Sequence, residues 1–143
     1  FDAGYGIHFD AGDLTTFVLF ADKDKSSVFN GKFGIEYDRT GCLPVGDVSA
    51  RECLQVFRVE RENKIEKFCA VRSISSAEEC HTSTPPLTFL DITFRRPDPD
   101  AVIRTNLSDG DMGRYHGARI YLISPRGVTG QVEVGSAGQI SVK

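Results

Sequence analysis

Apolar and polar positions alternate along most of the chain with a period of two, most clearly from Ala118 to Lys143. Ala118, Ile120 and Leu122 alternate with Arg119, Tyr121 and Ile123. Val132 and Val134 alternate with Gln131 and Glu133, and Ile140 and Val142 with Gln139, Ser141 and Lys143. Period two puts successive side chains on opposite faces of a sheet, so each run has a core face and a solvent face. Ser124-Pro125-Arg126-Gly127 and Gly135-Ser136-Ala137-Gly138 carry residues that reverse a chain, Pro presetting φ and Gly supplying φ > 0. The pattern predicts a three-stranded antiparallel meander with no acid, base or nucleophile cluster on it.

Upstream, Tyr5 to Asp10 alternates and predicts a strand, with a turn at Ala11-Gly12-Asp13. Thr15 to Ala21, TTFVLFA, is a near-continuous β-branched and aromatic run that predicts a central, buried strand. A polar loop follows over Asp22 to Ser27. Lys32 to Asp38 alternates Phe33, Ile35 and Tyr37 and predicts a further strand, weakened at Gly34. Leu54 to Glu60 and Ile65 to Ile74 flank Arg61-Glu62-Asn63-Lys64 and predict a β-hairpin. Ser75 to Pro86 is turn-like, with room for one helical turn at Ser76 to Glu79. Leu87 to Arg95 predicts a strong strand, Pro97 and Pro99 interrupt it, and Ala101 to Thr105 resumes it. Asn106 to Gly117 reads as a polar surface loop. Roughly ten short strands and almost no helix predict one all-β domain over residues 1–143, an antiparallel β-sandwich of two sheets.

Composition narrows the class. The chain has 143 residues, 40% hydrophobic and 26% charged, which suits a folded domain rather than disorder. A net charge of −3 gives no general attraction to phosphate backbones. There is no apolar run of membrane-spanning length. The first residue is Phe1 rather than Met, so a processed or truncated protein is expected.

Cys42, Cys53, Cys69 and Cys80 include no C-x2-C pair, which argues against zinc. Four cysteines suit two disulfides in one of three connectivities. Cys42–Cys53 with Cys69–Cys80 closes two short loops and is preferred. The alternative is four reduced thiols in a cytosolic protein. Disulfides imply an extracytoplasmic location.

Chemistry-bearing motifs are sparse. Asp22-x-Asp24-x-Ser26 resembles the first half of a calcium loop, but Ser27 and Phe33 stand where that loop needs Gly and Glu. A solvated loop is expected there, and a turn at Asp109-Gly110-Asp111. His8, His81 and His116 show no ligand or catalytic spacing. His8, between Ile7 and Phe9, is expected to face water. No catalytic, cofactor-binding or metal-ligating residue is assigned, and a non-enzymatic protein is expected. Arg95, Arg96, Arg104, Arg114, Arg119 and Arg126 are the cations that would have to converge on one face to hold DNA.

Several stretches, in order, resemble a known family. They are Gly4-Tyr5-Gly6-Ile7-His8-Phe9, Phe17-Val18-Leu19-Phe20-Ala21-Asp22 and Leu90-Asp91-Ile92-Thr93-Phe94-Arg95-Arg96-Pro97, then Ile120-Tyr121-Leu122-Ile123-Ser124-Pro125 and the run from Val132 to Val142. Together they resemble the globular heads of minor type IV pilins and minor type II secretion pseudopilins (GspH/FimT-like). The resemblance implies a pilin-like head, a structural filament subunit acting in filament initiation or tip assembly. It implies other pilin or pseudopilin subunits as partners, and a cell-surface or periplasmic setting. It also implies an N-terminal apolar helix, absent from this sequence, that anchors the subunit in the membrane; with it the fold is β-rich α+β. Among Phe1, Tyr5, Phe29, Phe33 and Tyr37, most are then core and some face the absent helix, leaving an apolar patch beside residue 1. Some pilins of this kind bind DNA through a C-terminal arginine-bearing stretch. Gly138 to Lys143 has no arginine, so DNA is possible but not favoured. The other open reading is a free extracellular adhesin or carbohydrate-binding module.

Overall fold

The alternating pattern becomes twelve strands in the computed structural model, which describes residues 3–44, 51–109 and 113–143. In chain order they are β1 (Gly4–Asp10), β2 (Asp13–Asp22), β3 (Tyr37–Asp38), β4 (Gly41–Cys42), β5 (Cys53–Arg58) and β6 (Lys64–Arg72). There follow β7 (Glu78–Cys80), β8 (Phe89–Phe94), β9 (Ala101–Thr105), β10 (Tyr115–Ile123), β11 (Thr129–Gly135) and β12 (Ile140–Val142). The first sheet has the order β5-β2-β1-β8-β9 and the second β12-β11-β10-β6-β7; β3 and β4 form a small third sheet. All strand pairs are antiparallel. The fold is an all-β sandwich. Among the described residues no helix is long and apolar enough to cross a membrane.

Between the two large sheets lies one apolar core. The first sheet supplies Phe9, Leu90, Ile92 and Ile103, and the second supplies Phe68, Ala70, Ala118, Ile120 and Val134. The C-terminal meander forms as the pattern predicts, with Ile120 opposite Val132 and Val134 opposite Ile140. Its turns close through Ser124 N donating to Val128 O at 2.9 Å and Gly135 N donating to Gln139 O at 2.8 Å.

The first sheet is buried on both faces. Ile7 and Phe9 of β1 point into the sandwich, while residues of the opposite parity meet a second cluster of Val18, Phe20, Phe29, Tyr37 and Cys53. The segment after β2 folds back over the outer face and adds Phe29 and Tyr37 to Val18 and Phe20 of β2 and Cys53 of β5. Gly6 leaves room within its own sheet: a Cβ there would sit 2.5 Å from the ring of Phe20, which lies opposite it on β2.

Four sequence expectations are corrected. Residues Lys32 to Asp38 are not a strand. Gly34 takes φ +82°, and Ile35 N and Glu36 N both donate to Lys32 O, so the run turns; Phe33 makes an isolated bridge to Tyr37, and Tyr37–Asp38 pair with β4. The runs before and after Arg61–Lys64 do not form a hairpin. β5 pairs with β2 at the edge of the first sheet and β6 pairs with β10 in the second, so the intervening residues cross the sandwich. Arg61 and Glu62 both take positive φ, and Val59 N still donates to Thr15 O, so β5 stays with its sheet until the crossing begins. No helical turn forms at Ser76 to Glu79, because Ser76 has φ 54° and Glu78 to Cys80 is strand. The loop expected over Asn106–Gly117 ends at Tyr115, where β10 begins; Gly110 and Asp111 lie outside the described residues.

Cys42 is bonded to Cys53 and Cys69 to Cys80. The second bond joins cysteines directly opposite each other on β6 and β7. Two disulfides are compatible with an extracytoplasmic location.

Candidate functional site

A cleft of about 310 Å³ runs into the sandwich between the two sheets. Buried Phe9, Ile65, Ile92, Ile120 and Val134 form its floor. Half-buried Ile7, Phe17, Val59, Phe94, Leu122 and Val132 form its walls, and Ile140 of the edge strand β12 stands at the rim, 63% exposed. Period-two alternation accounts for the composition. Each strand offers its inward residues here, so the wall has no polar side chain. Such a surface has no group to move a proton or attack a bond. Its chemistry is to take apolar surface out of water.

The opposite face of the first sheet is closed, and buried polar groups sit within its apolar cover. His8, expected to face water, is 5% exposed. It shares a strand face with Gly4 and Gly6, and the covering segment packs on that face. His8 Nδ1 donates to Asp91 Oδ1 at 2.6 Å, and Asp91 Oδ2 accepts from Phe29 N at 2.9 Å. Asp91 is fully buried and so pins the cover to the sheet. Nε2 lies 3.8 Å from Asp10 Oδ2, an ion-pair separation too long for a hydrogen bond. Burial opposes the imidazolium, but Asp91, followed by Asp10, more than offsets it and lifts His8 to about 9. The rings of Phe29, Tyr37 and Phe89 enclose the imidazole. Its hydrogen-bond and ion-pair partners among the described residues are the carboxylates Asp91 and Asp10, and the His8–Asp91 pair fastens the cover to the sheet.

The outward face of the second sheet carries ion pairs that the meander alone did not show. Glu78 of β7 accepts from Arg119 Nη1 at 2.9 Å and from Tyr121 Oη, and Glu133 accepts from Arg119 Nε at 3.2 Å. Glu79, on the opposite face of β7, accepts from Arg114 Nη2 at 2.8 Å and from the hydroxyl of Tyr115, whose ring belongs to the core. The partners Glu78 and Glu79 come from a distant stretch expected to be a turn, which is why the sequence of the meander hides them.

Arg114 and Arg119 therefore lie on the second sheet against glutamates, whereas Arg95 follows β8 on the first and donates to Lys25 O and Ser27 Oγ. Of the aromatics singled out near the start, Phe29 and Tyr37 are buried, Tyr5 is half-buried and Phe33 is 42% exposed. Phe1 lies outside the described residues. The Asp22-x-Asp24 half-motif is joined by Glu52, with carboxylate oxygens of all three within 4.8 Å of one another. Glu52 stands just before β5, and nothing in the sequence tied it to Asp22 and Asp24. Cys42, Cys53, Cys69 and Cys80 are all consumed in disulfides.

No protein-family model matches the chain, and neither does any curated protein or solved structure.

Proposed function

We propose that the chain is the head of a pilin-type filament subunit, a non-enzymatic part of a minor pilin or pseudopilin at the cell surface or in the periplasm. The wholly apolar cleft between the sheets carries this reading. A helix with an apolar face would fill it, burying its side chains against Ile7, Phe94 and Leu122, and would couple the head to a filament or membrane. The exposed edge strand β12, with Ile140 and Val142 63% and 78% exposed, offers unpaired backbone and apolar side chains to a neighbouring subunit. Two disulfides agree with the setting. DNA is a weaker partner, because Arg114 and Arg119 are engaged by glutamates.

The test is made in the protein's own cells, by shearing surface filaments and probing them for the chain. Native protein is expected in the filament fraction. Leu122→Glu, at the half-buried wall, is expected to fold but to be lost from that fraction. Absence of the native protein from filaments, or unchanged incorporation of Leu122→Glu, overturns the proposal.

One observation favours a second reading. The cleft volume is at the lower end of the range for small-ligand pockets, about 300–1,000 Å³. A secreted module holding a small apolar ligand would use the same walls, and would be found free in the medium with that ligand in the cleft.

A further inference from the structure

We infer that Asp22, Asp24 and Glu52 form a binding site for a hard divalent cation of the calcium class. Asp22 ends β2, Asp24 stands in the next loop and Glu52 immediately precedes β5. Backbone pairing fixes their meeting. Ala21 N donates to Glu52 O at 2.9 Å, and Phe20 lies opposite Cys53. The Cys42–Cys53 disulfide ties down the residue beside Glu52. One oxygen from each carboxylate lies within 4.8 Å of the other two. Calcium–oxygen distances of roughly 2.3–2.6 Å allow ligands on opposite sides of one ion to stand about 5 Å apart.

A second observation points to a ligand. Asp22 is 0% exposed, and its Oδ1 has no hydrogen-bond partner. Its Oδ2 is occupied, accepting from Ser27 N at 3.0 Å and lying 3.8 Å from Arg95 Nη2. A buried carboxylate oxygen left bare carries its full desolvation cost, which an ion would remove. Arg95 offsets part of the charge from the Oδ2 side only, while its bonds to Lys25 O and Ser27 Oγ brace the loop.

The remaining oxygens are held in place without being used up. Glu52 accepts from Lys23 N at 3.1 Å and from Asn30 N at 2.9 Å. Asp24 accepts from Ser26 N at 3.0 Å and from Asn30 Nδ2 at 2.5 Å. Each carboxylate oxygen keeps a lone pair for a cation. One oxygen from each of the three carboxylates crowds the same 4.8 Å region. A divalent ion relieves the same crowding. An all-oxygen donor set selects calcium or magnesium over zinc or copper. Exposed Asp24 leaves room for water ligands in an irregular shell, which calcium accepts and magnesium resists. The linear calcium-loop pattern fails at Ser27 and Phe33, and the fold replaces its missing acid with Glu52, the residue before the adjoining strand β5.

Calorimetric titration of chelator-treated protein with calcium chloride, at about 0.1 M potassium chloride to screen loose surface binding, tests the site. One calcium per chain is expected, with Kd near 0.1–1 mM as in extracellular calcium modules, with weaker magnesium binding and a thermal midpoint that rises with calcium. Asp24→Asn changes an exposed residue, so it is expected to fold and to weaken calcium at least about tenfold, a 1.4 kcal/mol effect. Glu52→Gln is expected to do the same. No heat and no midpoint shift at about 10 mM calcium, ten times the weakest expected Kd, overturns the site. Binding that survives both substitutions, or magnesium binding as tight as calcium, overturns the assignment.

Discussion

The two faces of the first sheet are buried by different means. Towards the second sheet, Phe9 and Ile92 meet apolar neighbours that have no preferred partner, and the contact stops short, leaving a cleft. On the other face, His8 and Asp91 meet a covering segment through directional bonds, and the layer is closed. Apolar contact is interchangeable, so one occupant can replace another. A buried charge pair tolerates no vacancy, because each partner left alone bears its desolvation cost. The structure thus separates a face built to stay shut from one able to accept a guest.

The largest expected effect breaks the closed face. Asp91→Ala leaves His8 and Phe29 N without their acceptor and should cost about 3–5 kcal/mol, measured by urea unfolding. A loss below about 1 kcal/mol, the level of an exposed ion pair, would show that the polar layer fastens nothing. Next, Cys42→Ser with Cys53→Ser frees the cover from β5 and should cost about 3 kcal/mol, given the 11-residue separation. Exchange protection of Phe29 N should fall while that of Ile120 N holds.

A smaller effect follows from pH. His8 binds its proton more tightly folded, at about 9, than unfolded, at 6.5. Its contribution is fully present below about pH 6.5 and is lost as pH rises through 9, up to about 3 kcal/mol in all. Thermal midpoints should decline across that window, and His8→Gln should flatten the decline. A midpoint rising from pH 7 to 9 contradicts the ion pair.

The smallest change is expected in the open face. Val132→Phe enlarges a half-buried wall residue and should alter stability by less than about 1 kcal/mol, where overpacking a closed core costs 1–3. A larger loss would mean that the cleft is already filled by its own walls.

Much of this contrast was legible in part. The inward stripes of Ile7 and Phe9, Ile92 and Phe94, Ile120 and Leu122 stand in the alternation, and so do the strands and the two short-loop disulfides. What alternation cannot say is whether facing stripes touch or stay apart, because that depends on the angle and spacing of two sheets. His8 was misread because one strand reveals which residues share a face, not what covers it. The β5–β6 hairpin was misread for a related reason. A polar turn between apolar runs fits a crossing between sheets as well as a hairpin, and here β2 and β10 are the better partners. Glu52 was invisible because its role depends on the register of β5 against β2.

The place of β1 has a consequence for how the molecule is made. One side of β1 pairs with β2, next in the chain, and the other with β8, so that His8 meets Asp91 across 83 residues. Pairings of such separation slow the search for the native arrangement. A chain emerging from its amino end exposes an open β1 edge until β8 and β9 arrive. Both disulfides join cysteines 11 positions apart, so they secure neighbouring segments without drawing these distant strands together. During that interval any extended strand from another chain competes with β8 for the same edge, and the order of synthesis itself becomes a hazard that assembly must manage.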